Sequence, residues 1–212
     1  MTFDREDLIA SLALRPIDLD RLKLYDELVR RWSHVKNLVS HQALQDLWLR
    51  HLLDSVQVQR AAPDANLWVD LGSGGGFPGI VTAILLADRP GALVHLVESD
   101  NRKCAFLRAV SRETGIRTQV HHGRIEAVVP TLGAVDAVSA RALAEMDQLV
   151  SWAEPLLLEG VLGVFPKGRN VRNELTRLST DSRFKLELRP SVSDPDGVLV
   201  LIRRAPPLGA NQ

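Results

Sequence analysis

The chain has 212 residues and no net charge, and 45% of its residues are hydrophobic and 25% charged. This composition is typical of a folded globular protein and excludes a disordered chain. No apolar run is long enough to span a membrane, the acidic start at residues 1–7 is unlike a targeting peptide, and a single cysteine, Cys104, excludes an internal disulfide framework. We therefore expect a cytoplasmic protein that binds neither membrane nor metal.

Two helices are predicted at the start of the chain. Residues 18–36 carry apolar side chains at helical spacing, and a second helix is predicted with Ser40 as its cap and an end near Gln59. We expect an N-terminal helical extension over residues 1–60, followed by a second domain over residues 61–212.

A glycine-rich run, Asp-Leu-Gly-Ser-Gly-Gly-Gly-Phe-Pro-Gly, begins at Asp70 and joins a short apolar strand to a helix. At such a turn an α/β sheet presents backbone N–H groups to a ligand. The dinucleotide fingerprint G-x-G-x-x-G fails, because Phe77 stands three residues after Gly74. An acidic residue followed by G-x-G-x-G is instead the pattern of S-adenosylmethionine-dependent methyltransferases, which makes Asp70, Gly72 and Gly74 candidate cofactor residues. A tight turn without a ligand is the alternative.

Glu98 ends the next apolar run, which covers residues 93–97. An acidic residue near this offset from the glycine loop meets the ribose in nucleotide-binding βαβ units. Alone, Glu98 would be interpreted as a solvated strand-end charge. Together with the glycine loop it is predicted to accept the hydroxyl groups of the adenosine ribose.

After residue 61 the chain alternates between strands and helices. Strands are predicted over residues 67–71, 93–98, 117–122, 135–139, 160–166, 184–190 and 197–204, with helices over 78–88, 101–114, 145–157 and 170–179. Alternation predicts a mostly parallel sheet with helices on both faces. The last two strands are joined by residues 191–196, too few for a crossover, so they should pair antiparallel. A doubly wound, Rossmann-like α/β sheet of seven strands closed by such a hairpin is the class I S-adenosylmethionine-dependent methyltransferase fold.

Basic residues are concentrated toward both ends of the chain, outside the cofactor-binding middle. Such flanks can form one surface that follows a phosphate backbone, if the fold brings them together. Ordinary solvated charges are the alternative. The candidate RNA-binding residues are Arg30, Arg31, Lys36, Lys167, Arg169 and Arg172.

Several motifs resemble those of one family, the bacterial 16S ribosomal RNA guanine-N7 methyltransferases, also called glucose-inhibited division protein B. The resemblance covers roughly residues 20–170. Its most specific part is the block Arg-His-Leu-Leu-Asp-Ser at residues 50–55 followed by G-x-G-x-G-x-P-G from Gly72, because generic methyltransferases lack both the block and the proline. Further matches are Gly-Arg-Ile-Glu at residues 123–126 and Arg141-Ala142.

This resemblance implies S-adenosyl-L-methionine as cofactor and 16S rRNA, or a small ribosomal subunit particle, as substrate. By the same resemblance Gly72 and Phe77 line the cofactor, Ile125 and Glu126 flank its adenine, and Arg141 closes the site. A monomer with no obligate protein partner is expected.

Methyl transfer to N7 of guanine, the reaction that the resemblance implies, needs no catalytic side chain. The motif Asn/Asp-Pro-Pro-Tyr/Phe of amino-methylating enzymes is missing after the fourth strand, and Cys104 falls in a predicted core helix rather than near a substrate. Guanine N7 has an in-plane lone pair and no proton, so in-line positioning suffices without a general base. A methyltransferase acting on another RNA, a small molecule or a protein, and a non-catalytic nucleotide-binding module, remain the alternatives.

Overall fold

The computed structural model describes residue 10, residues 12–36, residue 44, residues 47–169, residues 171–178 and residues 181–206. The helices are α1 (Pro16–Lys36), α2 (Leu53–Arg60), α3 (Gly79–Leu85), α4 (Asn101–Thr114), α5 (Ile125–Val128), α6 (Met146–Leu158) and α7 (Val171–Leu178). The strands are β1 (Leu67–Leu71), β2 (Leu93–Glu98), β3 (Thr118–His122), β4 (Ala137–Ser139), β5 (Leu162–Lys167), β6 (Phe184–Pro190) and β7 (Val198–Arg204).

The seven strands form one sheet in the order β3-β2-β1-β4-β5-β7-β6. Strands β1 to β5 pair in parallel, and β7 pairs antiparallel with both β5 and β6. The predicted doubly wound sheet with a terminal antiparallel hairpin is therefore confirmed. The strand order reverses between β1 and β4, and ligands bind open α/β sheets at the carboxyl ends of the strands beside such a switch point.

Helices cover the two faces of the sheet. On one face α1 to α4 pack around a cluster that includes Leu22, Ile80 and Phe106, and on the other face α5 to α7 pack around Met146 and Leu175. Leu22 of α1 and Phe106 of α4 belong to one cluster, so the N-terminal helix shares its core with the sheet. Cys104 is buried in α4, in agreement with the prediction that it lies in a core helix.

The structure departs from the predicted elements mainly at two places. A π-helical turn over Leu47–Leu52 precedes α2, and the predicted cap Ser40 lies outside the described residues. Helix α5 and a 3-10 turn over Val129–Thr131 follow β3, and both are too short to show a period in the sequence. No helix in the described ranges is long and apolar enough to cross a membrane.

Candidate active site

Two cavities open side by side at the carboxyl ends of the strands. The first, of about 450 Å³, lies over β1, β2 and β4, and the second, of about 670 Å³, lies over β5 and the start of β7. We call them the first cavity and the second cavity. Arg141 and Ala142 line both cavities and form the wall between them. Ala142 takes a φ of 50°, in the left-handed region that non-glycine residues seldom adopt.

The glycine loop between β1 and α3 forms one side of the first cavity. Gly72 and Gly74 have φ angles of 65° and 56°, where glycine pays no steric penalty, and the Phe77–Pro78 peptide is cis. A Cβ on Gly72 would lie 2.5 Å from Leu143 Cδ1, whereas a Cβ on Gly74 would lie 3.7 Å from Gly72 O. The loop therefore packs against the segment after β4 at Gly72 and leaves space in front of Gly74.

Glu98 lies at the end of β2, is buried, and lines the first cavity. Its Oε2 accepts the Gly74 N–H at 2.8 Å, and its Oε1 accepts the Asp100 N–H at 2.8 Å. The carboxylate therefore ties the glycine loop to the end of β2. Because a carboxylate offers about four lone-pair sites, Glu98 can keep both bonds and still accept from a ligand.

Asp70, which the sequence places among the cofactor residues, does not line the first cavity. It is 1% exposed, and its carboxylate accepts the Gly79 N–H at 3.2 Å and the Ser139 hydroxyl at 2.9 Å. Burial raises the pKa of Asp70 to about 7, against the lowering effect of these donors. The structure thus places Asp70 beneath the glycine loop, where it joins β1, α3 and β4.

The far side of the first cavity contains Ile125 and Glu126 of α5. Trp152 of α6 also lines it, and its Nε1–H donates to Glu126 Oε1 at 2.7 Å. The structure therefore brings together, around one cavity, seven of the residues that the sequence assigns to the cofactor. They are Gly72, Gly74, Phe77, Glu98, Ile125, Glu126 and Arg141.

Arg141 is held by two residues of the N-terminal segment. Its guanidinium contacts Nδ1 of His51, and its Nη2 lies 3.5 Å from Oδ2 of Asp54. The centre of the His51 ring lies 5.2 Å from that of the Phe77 ring in a tilted arrangement, and the Phe77 ring in turn lies 5.2 Å from the ring of Tyr25. A chain of side chains therefore connects α1 to the wall between the cavities.

The second cavity is rimmed by the end of β5 and by the loop of residues 191–197. Lys167 Nζ lies 2.6 Å from Glu174 and donates to the Ala144 carbonyl, so this ammonium group is held inside the rim. Arg169 has a side chain that is 80% exposed and lies 3.1 Å from Asp196. Of the two cations, Arg169 is the one presented to solvent.

The predicted basic residues of α1 point to another part of the molecule. Arg30 pairs with Asp26 on its own helix, and Arg31 pairs with Glu113 at the end of α4. Helix α4 connects β2 to β3, whereas Arg169 follows β5, so Arg31 and Arg169 contact opposite halves of the sheet. Arg31 and Arg169 are therefore positioned by different parts of the sheet, and the single basic surface expected from the sequence stays a prediction. The side chains of Lys36 and Arg172 lie outside the described part of the chain.

A model of the family described as rRNA small subunit methyltransferase G matches residues 18–193. The chain belongs to this family. It is 48% identical over 201 residues to a ribosomal RNA small subunit methyltransferase G of Parvibaculum lavamentivorans, covering 94% of this chain and 89% of that protein. A protein of the same name from Methylorubrum extorquens is 46% identical over 181 residues, covering 85% of this chain and 86% of that protein.

Solved structures of methyltransferases share the fold. A methyltransferase from Geobacter sulfurreducens superimposes with a TM-score of 0.61 at 15% identity, covering 91% of this chain and 90% of that one. An O-methyltransferase from Bacillus cereus superimposes with a TM-score of 0.60 at 16% identity, covering 85% and 90%. The family and the fold together confirm the prediction of an S-adenosylmethionine-dependent methyltransferase.

The sequence identified the Arg-His-Leu-Leu-Asp-Ser block of this methyltransferase G family member but assigned no role to its residues. In the structure His51 and Asp54 from this block hold Arg141. Trp152 and Leu143 were also missed, because neither belongs to a motif and each is an apolar residue of a kind that usually packs in the core. For His51 and Asp54, the density of charged residues within the block was the available signal.

Proposed function

We propose that this protein transfers the methyl group of S-adenosyl-L-methionine to N7 of a guanine in 16S rRNA of the small ribosomal subunit. The observation that supports it most is the pair of cavities that share Arg141 and Ala142 as a wall. A cofactor in one cavity and a nucleotide in the other would meet at this wall. The family assignment supports ribosomal RNA as the acceptor.

The residues of the first cavity fit this cofactor. Its volume of about 450 Å³ falls within the range of small-molecule sites, roughly 300–1,000 Å³. Gly74 has no side chain to fill the space in front of the loop, Glu98 offers acceptors for ribose hydroxyls, and Ile125 with Trp152 offers apolar surface for a purine. Asp70 supports the loop from beneath in this proposal instead of touching the cofactor.

In this proposal the protein accelerates methyl transfer by positioning the acceptor against the cofactor. S-adenosylmethionine supplies an electrophilic methyl group on a sulfonium sulfur. The protein orients the acceptor so that N7, the methyl carbon and the sulfur lie in line, which can supply roughly 7–11 kcal/mol without any proton transfer. Arg141 closes the site where cofactor and nucleotide meet, and no side chain acts as a general base.

Methyl transfer to purified substrates tests the proposal. Tritiated S-adenosylmethionine is incubated with the protein and with naked 16S rRNA, assembly intermediates or complete small subunits, and the modified base is then mapped. We expect label on N7 of one guanine. Label on a pyrimidine, on an exocyclic amine or only on a small molecule would contradict it.

The role of Glu98 is tested by Glu98→Gln. The amide keeps one acceptor but faces a backbone N–H with its NH₂ group, so both the ribose contact and the bond to Gly74 or Asp100 are weakened. With each charge-assisted bond worth roughly 1.5–3 kcal/mol, cofactor affinity should fall at least about tenfold by calorimetry. RNA affinity should not change, and a loss confined to RNA binding would contradict the assignment.

We also propose that the protein acts in the cytoplasm as a monomer, with the N-terminal helices as an RNA-facing extension of the methyltransferase domain. Light scattering with and without S-adenosylmethionine tests the oligomeric state. A stable dimer at micromolar concentration would contradict it.

A further inference from the structure

Asp54 is a half-buried carboxylate on the wall of the second cavity, next to Arg141. Its side chain is 16% exposed, its Oδ2 lies 3.5 Å from Arg141 Nη2, and its Oδ1 accepts hydroxyl groups of Ser191 and Ser193. The two serines hold the carboxylate in one orientation. A hydrogen-bond acceptor and a hydrogen-bond donor are thus fixed side by side on the second cavity.

This spacing matches one edge of guanine. The base presents the O6 acceptor next to the N1–H donor, whereas adenine presents an N6–H₂ donor next to the N1 acceptor. A guanidinium donates only, and a carboxylate accepts only, so the Arg141–Asp54 pair complements guanine with its N7 on the Arg141 side. Adenine matches the pair only when it is turned over, which puts its N7 on the Asp54 side, away from the first cavity. Bases in single strands are commonly selected through this edge.

The positive charge that the purine gains during methyl transfer also favours a carboxylate at this position. In transfer to N7, the N7 lone pair forms the new bond to the methyl carbon, and the electrons of the carbon–sulfur bond return to sulfur. The sulfonium becomes a neutral thioether, no proton moves, and the positive charge passes to the purine. The purine N1–H becomes more acidic, so a carboxylate that accepts it binds the transition state more tightly than the neutral base.

We propose that Asp54 selects guanine and favours its methylation, by accepting the N1–H of the acceptor base while Arg141 donates to O6. This inference rests on the proposed function and names the specificity-determining residue of that site.

Two other carboxylates line the second cavity and fit this role less well. Glu174 is paired with Lys167 at 2.6 Å and accepts the Met146 N–H at 2.9 Å. Asp194 lies on the loop of residues 191–197, and its Oδ1 accepts the Asp196 N–H. Of these three, only Asp54 is next to Arg141 on the wall shared with the first cavity.

Competition by mononucleotides tests the selection with the unaltered protein. Guanosine, adenosine and 7-methylguanosine 5′-monophosphates are titrated against the protein with S-adenosylhomocysteine bound. We expect guanosine monophosphate to bind about 5- to 150-fold more tightly than adenosine monophosphate, the discrimination of one good base pairing, and the cationic 7-methyl form to bind more tightly still. Equal binding of guanosine and adenosine monophosphates would overturn the inference.

The variant Asp54→Asn tests the charge, with Asp64→Asn, the same change on an exposed loop before β1, as the matched control. For Asp54→Asn we expect a single-turnover rate of methyl transfer to small subunits that is lower by at least about tenfold, loss of the preference for the 7-methyl form, and S-adenosylmethionine affinity within about twofold of the wild type. Asp54→Glu should restore part of the rate, and Asp64→Asn should match the wild type.

A wild-type rate in Asp54→Asn, or a loss of cofactor affinity as large as the loss of rate, would overturn the inference. The second result would mean that Asp54 acts only by holding Arg141. Failure of the proposed function looks different: the unaltered protein would then transfer no methyl group to any small-subunit substrate.

Discussion

At the scale of single residues, Asp70 and Glu98 are two buried carboxylates near the ends of neighbouring strands, and they have different tasks. Glu98 lines the first cavity and fixes the glycine loop through the Gly74 N–H. Asp70 lies under the same loop, 1% exposed, and binds the Gly79 N–H. One carboxylate therefore faces the ligand side of the loop, and the other faces the protein interior.

The raised pKa of Asp70 predicts a dependence of stability on pH. Burial raises this pKa from 3.8 to about 7 in the folded chain. The fold therefore holds the proton more tightly than the unfolded chain does, and its stability should fall as the pH rises from about 4 through 7. Asp70→Asn, which cannot ionise, should lose this decline, and urea unfolding at pH 5, 6, 7 and 8 measures it. As the pH rises, we expect the free energy of unfolding of the variant to increase relative to that of the wild type, by at most about 4 kcal/mol at ~1.4 kcal/mol per pKa unit. A difference that stays constant with pH would contradict the prediction.

Changing two glycines of the loop to alanine should have different effects, one on cofactor binding and the other on stability. Gly74→Ala places a methyl group in open space at a φ of 56°, so it should cost about 1–2 kcal/mol of stability but block the approach of a ligand to the backbone. Gly79→Ala drives its methyl group into Leu96 and to 2.6 Å from Asp70 Oδ2, so it should mainly destabilise the fold. Calorimetry with S-adenosylmethionine and thermal unfolding separate the two. Normal cofactor affinity in a folded Gly74→Ala protein would refute the assignment of the loop.

At the scale of elements, the N-terminal helices hold the loops at the carboxyl edge of the sheet. Tyr25 of α1 donates its hydroxyl to the Gly75 carbonyl at 2.6 Å. Gln57 of α2 donates to the Pro190 carbonyl at 2.7 Å and accepts the Val192 N–H at 3.1 Å. Helix α1 thus supports the glycine loop, and α2 supports the loop between β6 and β7.

Gln57→Ala should therefore loosen one loop without disturbing the other. It removes two hydrogen bonds worth roughly 0.5–1.5 kcal/mol each, so amide hydrogen exchange in residues 191–197 should accelerate. Affinity for the RNA substrate should weaken severalfold, while S-adenosylmethionine affinity should not change. Gln59→Ala on the same helix is the control, and equal exchange rates in the two variants would contradict the coupling.

At the scale of the whole molecule, a net charge of zero conceals an uneven distribution. Arg169 extends into solvent beside the second cavity. Arg31 pairs with Glu113 at the end of α4, the helix that connects β2 to β3 in the other half of the sheet. A strand of RNA that enters the second cavity would come close to Arg169. Contact with Arg31 would require the RNA to extend over both halves.

Salt dependence of RNA binding distinguishes these paths. Arg169→Ala should reduce the slope of log affinity against log salt by roughly 0.7–0.9, the value for one lost phosphate contact. Arg31→Ala is the matched change on the other half, and filter binding across salt concentrations measures both. An unchanged slope for Arg169→Ala would exclude it as a phosphate contact, and an equal drop for Arg31→Ala would mean that RNA spans both halves.

The amino-acid sequence by itself determined the sheet, the order of its elements and the glycine loop. These features depend on local signals: the alternation of strands with helices, the six-residue link that requires an antiparallel hairpin, and glycines where φ is positive. The family motifs likewise identified Arg141 and the residues Ile125 and Glu126, although not the helix that they form. Short elements such as α5 itself were missed, because four residues carry no measurable period.

Only the tertiary structure decided which charged side chains reach a cavity and which reach each other. Asp70 and Glu98 both lie near a strand end, but Glu98 is two residues further along in the register, and α3 and β4 pack on Asp70 from elsewhere in the chain. Arg141 meets Asp54 across 87 positions of sequence (141 minus 54), a contact that no local pattern records. Charge alone pointed to the basic residues, whereas the packing of α1 against α4 places Arg31 beside Glu113, because a helix packs where its apolar face is buried and its charged side chains follow.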